Sequence, residues 1–184
     1  MTALPDAELL RRSRVDASAF GELFDRHACA VHGFIVRRSG HQSADDLLSE
    51  VFLRAVEARA RVRPHESDSA LPWLYGIARN VVRAHLRTRA APLPGVEATY
   101  VDWDAVDARI DAHAAATELR TALASLTEIE RDVLLLVAWE QLTITEAAEA
   151  LGISATAARS RLHRARARAA AALAAIQPLD LKEN

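Results

Sequence analysis

The sequence predicts an all-α protein made of two small helical domains. Apolar residues recur at three- and four-residue steps, capping signals precede several of these stretches, and helix-forming residues dominate the composition. Glycine and proline number only six each among 184 residues, which is few for an all-β chain with its many turns. Hydrophobic residues make up 51% of the chain, enough for two small cores.

Three helical segments predict a first domain over residues 5–89. The first helix ends at Gly40, and its predicted buried face comprises Phe20, Leu23, Phe24, His27, Val31, Phe34 and Ile35. Ser43 precedes a second helix as its predicted cap, and the buried face there comprises Leu47, Leu48, Val51, Phe52 and Ala55. A polar loop follows. The third helix spans 71–88, and Pro72 is tolerated because it falls in the first turn.

Two capping boxes indicate helices in a second domain, predicted over 112–176. Thr127 and Glu130 have the required spacing and precede an apolar helix. Thr143 and Glu146 repeat the pattern and predict a short helix that runs to residue 151.

A helix-turn-helix closes the second domain. Gly152 stands where the short helix must end, because glycine adopts left-handed backbone angles without a side-chain clash. Ser154 is the predicted cap of the last long helix. That helix carries five arginines and no acid, so it fits the major groove of DNA and supplies phosphate and guanine contacts.

The net charge of −2 conceals two basic segments separated by an acidic one. Residues 69–89 hold four arginines and no acid, and 155–176 hold five and no acid. Between them, 90–118 holds six acids against one arginine. Prolines and a glycine in 90–111 predict a flexible acidic linker. An alternative for the basic faces is codon bias, because the only lysine is Lys182 and an arginine-rich helix is often a solvated face.

Several function classes are not expected. The single Cys29 excludes an internal disulfide and suits a reducing cytoplasm, and no apolar run predicts membrane insertion or a signal peptide. Cys29, His32 and His27 lie close in sequence, but zinc needs about four ligands, so no metal site is predicted and Cys29 is expected to be a small buried residue. The chain shows no nucleophile–base pattern and no phosphate loop, so we expect neither enzyme activity nor a cofactor.

Several segments together resemble a known family. R-H-A-C-A-V-H, A-D-D-L-L-S-E-V-F-L-R-A, P-W-L-Y-G-I-A-R-N and L-T-E-I-E-R-D-V-L-L-L-V-A-W-E occur in this order before the helix-turn-helix. This series resembles the extracytoplasmic-function group of bacterial sigma factors, which retains only sigma domains 2 and 4. The resemblance covers residues 5–175, nearly the whole chain.

The resemblance implies a sigma factor that directs core RNA polymerase to promoters and initiates transcription. Domain 2 would occupy 5–89 and domain 4 would occupy 112–176. The implied partners are core RNA polymerase and promoter DNA, with an anti-sigma factor as a further candidate. Two alternatives stay open: a helix-turn-helix regulator without sigma activity, which needs no first domain, and a helical protein that only binds an anti-sigma partner.

The resemblance also assigns roles in the first domain. Asp45, Asp46 and Glu50 would contact the polymerase, although acids on an amphipathic helix often serve only solvation. The residues implied at the −10 element are Trp73, Tyr75, Arg79, Asn80, Arg83 and Arg87. Arginines four apart form one stripe, which suits single-stranded DNA. For Trp73 the alternative to a DNA contact is a place in the core. Ala84 and Val62 depart from the family pattern, which puts the details of −10 selectivity in doubt.

In the second domain the resemblance places the −35 contacts at the start of the last helix. They are Arg159, Ser160, Arg161, His163 and Arg164, while Ala158, Leu162, Ala165 and Ala169 form the predicted inward stripe. Arg166 and Arg168 lie farther along and are expected at phosphates or in solvent.

Overall fold

The computed structural model describes residues 4–62, 67–89 and 113–176, and these form eight α-helices and no strand. The all-α prediction is confirmed. The chain divides into two compact units, residues 1–102 and 103–184. The acidic linker predicted over 90–111 lies outside the described residues.

The described residues of the first unit form four helices: α1 Asp6–Arg12, α2 Ser18–Ser39, α3 Ala44–Ala58 and α4 Leu71–Arg89. α2, α3 and α4 pack against one another, and α1 packs on α2. Their apolar stripes meet in a core that includes Leu9, Leu23, Val31, Phe34, Ile35, Val51, Phe52, Leu74 and Val81. This packing fixes the register of α4, whose opposite face is then available to other molecules.

Three features of the first unit differ from the prediction. The sequence pattern gave no indication of α1, whose two leucines, Leu9 and Leu10, are buried. Phe24 is 40% exposed, and its ring meets Phe52 edge-on at a centroid distance of 4.7 Å. Ser43 stands at the N-cap of α3, but its side chain makes no capping hydrogen bond.

The second unit contains α5 His113–Ala124, α6 Glu128–Ala138, α7 Ile144–Leu151 and α8 Ala155–Ile176. α8 packs against the other three helices. Three of the four residues of its predicted inward stripe are buried, and Ala169 is partly buried. They meet a core that includes Leu123, Leu126, Val133, Leu136, Leu142, Ala147 and Ala148. The small residues of α8 let it lie close to its neighbours.

Both predicted capping boxes are present. Glu130 accepts hydrogen bonds from the backbone N–H and the hydroxyl of Thr127, at 3.2 and 2.8 Å. Glu146 accepts the same two bonds from Thr143, both at 2.8 Å. Each box supplies partners that the first helical turn lacks, and a cap of this kind contributes about 1 kcal/mol.

The turn between α7 and α8 also follows the prediction. Gly152 has a left-handed backbone, with φ of 64° and ψ of 35°. Ile153 N–H donates to the Ala148 carbonyl at 3.0 Å, which closes the end of α7. Ser154 Oγ accepts from the backbone N–H of Ala157 at 3.2 Å and so caps α8. Residues 152–154 therefore fix the direction in which α8 leaves the turn.

Candidate DNA and polymerase interfaces

The start of α8 presents polar side chains on the side away from its buried stripe. Arg159, Ser160, His163 and Arg164 are exposed, and Arg161 is partly exposed. Neither Arg159 nor Arg161 forms an ion pair with any other described residue. The structure thus brings the five residues expected at the −35 element together on one accessible surface, which we call the α8 surface.

A buried carboxylate draws two arginines of α8 toward α6. The Glu130 side chain is only 5% exposed, and its oxygens lie 2.6 Å from Arg168 Nη1 and 3.5 Å from Arg164 Nε. Burial alone would raise the pKa of Glu130. Hydrogen bonds from Thr127 and the positive charges of Arg168 and Arg164 outweigh this effect, so the pKa lies below its ordinary value. Arg168 connects α8 to α6 while its side chain stays 50% exposed, so its contact with phosphate or solvent stays a prediction.

Arg131, which follows Glu130 in the sequence, connects α6 to the end of α5. Its side chain is buried, and it donates to the carbonyls of Leu123 at 2.9 Å and Leu126 at 3.0 Å. The first carbonyl lies in the last turn of α5, where it also accepts the backbone N–H of Leu126 at 3.2 Å, and the second lies just beyond the helix. Burial lowers the pKa of Arg131. The sequence pattern missed this role, because the acceptors lie in the last turn of α5 and just beyond it, outside the helix that carries the arginine.

The basic stripe of α4 lies opposite its core-facing residues. Asn80 and Arg87 are exposed, while Arg79, Arg83 and Trp73 are partly exposed. Arg87 Nε donates to the Arg83 carbonyl at 3.2 Å, so this side chain lies along the helix. We call the face of Arg79, Asn80, Arg83 and Arg87 the α4 surface. It combines cations with an exposed amide, the combination that an unpaired strand requires.

Tyr75 does not belong to the α4 surface, which corrects the expectation that it contacts the −10 element. Its side chain is 3% exposed, and its ring stacks on Phe34 at a centroid distance of 4.9 Å. Tyr75, Ala78 and Val82 follow one another at three- and four-residue steps and are all buried. This spacing was the signal in the sequence that marked Tyr75 as a core residue.

The three acids of α3 differ in their surroundings. Asp45 is 93% exposed and lies 3.1 Å from His32 Nε2. Glu50 pairs with Arg54 at 2.5 Å. Asp46 is exposed and forms no ion pair among the described residues. Asp46, Glu50 and Leu53 follow the i, i+4, i+7 spacing of one helix face.

An exposed apolar group accompanies these acids. Leu53 is 61% exposed, and Phe24, which packs on Phe52 of α3, is 40% exposed. Solvent-facing leucine and phenylalanine beside charged residues are typical of a surface that binds protein. We call the group formed by Asp46, Glu50, Leu53 and Phe24 the α3 surface.

Cys29 is exposed, so the expectation of a buried thiol was wrong. His27 is buried and bonded to Asp6, whereas His32 pairs with Asp45. The two histidines and the cysteine therefore face different environments, and the part of the chain that the structure describes contains no cluster suited to a metal ion. No helix in the same part is long and apolar enough to span a membrane.

Comparison with known proteins identifies both halves of the chain. The family model for Sigma-70 region 2 matches residues 23–91, and the model for Sigma-70 region 4 matches 116–168. The ECF RNA polymerase sigma factor EcfG of Rhodopseudomonas palustris is 31% identical over 136 residues, which cover 73% of this chain and 74% of that protein. The chain belongs to the ECF sigma factors of the sigma-70 family.

Further relatives agree with this assignment. The sigma factor CarQ of Myxococcus xanthus is 33% identical to the ECF sigma factor described here over 153 residues, covering 79% and 83% of the two chains. The structure of CnrH in complex with the cytosolic domain of CnrY matches with a TM-score of 0.63 and 25% identity, covering 94% and 99%. As a sigma factor, the protein binds core RNA polymerase and promoter DNA to start transcription.

Proposed function

We propose that this ECF sigma factor divides its work among the three surfaces defined above. Sigma domain 2, over 5–89, docks on core polymerase through the α3 surface together with Asp45. Its α4 surface, with Trp73 at the start of the helix, engages the −10 element. Sigma domain 4, over 112–176, reads the −35 element through the α8 surface.

The geometry of α8 is the observation that supports this division most strongly. Its inward stripe is buried, its entry is fixed by the Gly152 turn and the Ser154 cap, and five polar residues remain accessible on the other side. A helix held this rigidly at its N-terminus can place side chains in a major groove. Arg159 and Arg161 are the strongest candidates for guanine contacts, because no carboxylate in the described residues holds either of them, whereas Arg164 pairs with Glu130.

The α3 surface supports the polymerase contact because it combines apolar and acidic groups. Leu53 and Phe24 would lose contact with water on docking, and Asp46 would meet a basic partner side chain. A buried apolar contact supplies most of the affinity in such interfaces, and the acids supply orientation.

We also propose an anti-sigma protein as a regulatory partner. CnrH, which shares the fold of this chain, was solved with the cytosolic domain of CnrY. An inhibitor that covered the α3 surface would prevent docking on polymerase. We place the protein in the cytoplasm, where polymerase and promoters lie, and assign it no catalysis of its own, because the polymerase forms the RNA bonds.

Run-off transcription with purified core polymerase tests the proposal. Core enzyme alone should give no specific transcript, and the added protein should produce defined start sites downstream of a shared pair of promoter elements. A DNA-binding regulator without sigma activity would instead bind its site equally well without polymerase and yield no start sites. That result would contradict the proposal.

A further inference from the structure

A buried carboxylate in α1 holds the chain just before α4. Asp6 is 4% exposed, and its Oδ2 accepts the backbone N–H of Ala70 at 2.7 Å and lies 2.6 Å from Nε2 of the buried His27. Its Oδ1 accepts from Arg26 Nη1 at 2.5 Å. Asp6 thus joins α1, α2 and the entry to α4 at one point, across 64 residues of sequence.

A second bond runs in the opposite direction between the same two segments. The backbone N–H of Ala7 donates to Asp68 Oδ1 at 3.3 Å. Asp68 itself has a φ of 58°, a left-handed conformation that costs energy in a non-glycine residue. The two reciprocal bonds hold this turn in place, because each carboxylate accepts a backbone donor from the other segment.

The far end of α1 is attached to the end of α3. Arg59 Nε donates to the carbonyl of Ser13 at 3.0 Å. Residue 59 follows α3 and residue 70 precedes α4, so α1 holds both ends of the connection between the two helices. Apolar packing of Leu9 and Leu10 would attach α1 to α2 without any of these polar bonds.

We propose that Asp6 is a positioning residue for recognition of the −10 element. The carboxylate fixes the backbone three residues before Trp73. It thereby sets the position at which α4 begins and the position of Asn80 on the α4 surface. A binding site selects among bases only when its groups are held within fractions of an ångström. This inference rests on the proposed role of the α4 surface.

The experiment compares Asp6→Ala, Asp6→Asn and the control Glu8→Gln in holoenzyme with core polymerase. Glu8 lies on the same helix, and its ion pairs among the described residues are with the exposed Arg11 and Arg12. The probes are a single-stranded −10 oligonucleotide, the same strand with one substituted base, and a −35 duplex. The quantity of interest is the ratio of affinities for the first two probes, because this ratio does not depend on the fraction of folded protein.

Asp6→Ala should reduce that ratio by about tenfold, since it leaves a buried backbone donor without its acceptor, while −35 binding changes by less than about twofold. Asp6→Asn keeps an oxygen acceptor for the Ala70 N–H, so its affinity ratio should fall less. This variant tests the inference if Asp6→Ala does not fold. Glu8→Gln should match the wild type.

An unchanged ratio in both Asp6 variants would overturn the inference. Parallel losses for both −10 probes, the −35 duplex and core binding would also overturn it, because they would reveal a role in folding alone. A wild-type holoenzyme without −10 preference would contradict the proposed function itself, and the inference with it. The wild-type and variant measurements therefore separate the two failures.

Discussion

Gly152 is the residue whose backbone most directly controls the α8 surface. A Cβ added there would meet nothing within 4 Å, so the cost of a side chain comes only from its φ of 64°. Gly152→Ala should therefore lower the free energy of unfolding by about 1–2 kcal/mol. We expect it to weaken −35 binding as well, because relief of the strain would tilt α8.

Gly21 provides a matched control in the other unit. Its Cβ would also meet nothing within 4 Å, but it lies in α2 with an ordinary helical backbone. Gly21→Ala should raise stability by about 0.5–1 kcal/mol. Denaturant unfolding of both variants measures the difference. Equal effects of the same sign would show that the left-handed conformation of Gly152 is not the source of the cost.

At the scale of the element, Glu130 connects the start of α6 to α8. Glu130→Gln should lower the free energy of unfolding by about 1–3 kcal/mol, because Arg168 loses its charged partner and the capping box is weakened. Loss of this negative charge should also strengthen binding to non-promoter DNA and steepen its salt dependence.

Glu118→Gln is the control for this substitution, because it removes the same charge from α5 without a described ion pair. Titration with non-specific duplex DNA at several salt concentrations measures the effect. If both variants changed DNA binding equally, net charge rather than the link between Glu130 and α8 would be responsible.

The arginines of α8 should separate into two groups. Arg161→Ala should cost about 1–3 kcal/mol of binding and relax the preference at one base pair of the −35 element. Arg166→Ala should weaken binding to all sequences alike and reduce the salt slope by about one. Selection of promoter variants with each protein tests this. Unchanged base preference in Arg161→Ala would remove Arg161 from the recognition group.

These elements also show which contacts can be predicted from the sequence and which cannot. The capping boxes and the Gly152 turn depend on residues within five positions of each other, and spacing alone predicted them. The bonds from Glu130 to Arg168 and from Asp6 to Ala70 join residues 38 and 64 positions apart, so no local pattern could predict them. Tyr75 was misassigned because its ring suits both a core and an unpaired base. Its spacing with Ala78 and Val82 indicated the core role, which its stacking on Phe34 confirms.

At the scale of the whole molecule, the described part of each unit contains a buried carboxylate whose pKa lies below its ordinary value. For Asp6, burial raises the pKa, but bonds from His27, Ala70 and Arg26 outweigh it. Glu130 behaves in the same way. A lowered pKa contributes stability above the unfolded values of 3.8 and 4.5, and this contribution is lost as the pH falls through the lower folded values.

Both units should therefore lose stability in acid. The denaturant midpoint should fall as the pH drops below the unfolded values of 3.8 and 4.5. Asp6→Asn and Glu130→Gln should each flatten this pH dependence, because a neutral amide does not titrate. Equilibrium unfolding at several pH values measures the effect. A wild-type slope retained in both variants would assign acid sensitivity to other carboxylates.

Two surfaces of the first unit, the α3 surface and the α4 surface, should serve different steps of initiation. Asp46→Arg should weaken association with core polymerase, and Asp46→Asn should weaken it less, while the helical circular-dichroism signal stays unchanged. Asn80→Ala should leave association intact and impair strand opening, with partial recovery on a template that is already melted. Core-binding titrations and permanganate reactivity measure the two steps. Equal loss on both templates would instead indicate a folding defect.

The bond between Asp6 and Ala70 sets an order of events during protein synthesis. The ribosome adds about 5–20 residues per second, so Asp6 is made roughly 3–13 s before its backbone partner, which lies 64 positions later. Throughout that interval the carboxylate has no Ala70 to bind. The polar bonds that join α1 to the start of α4 can therefore form only after residue 70 has left the ribosome, whereas the apolar packing of α1 on α2 can form earlier.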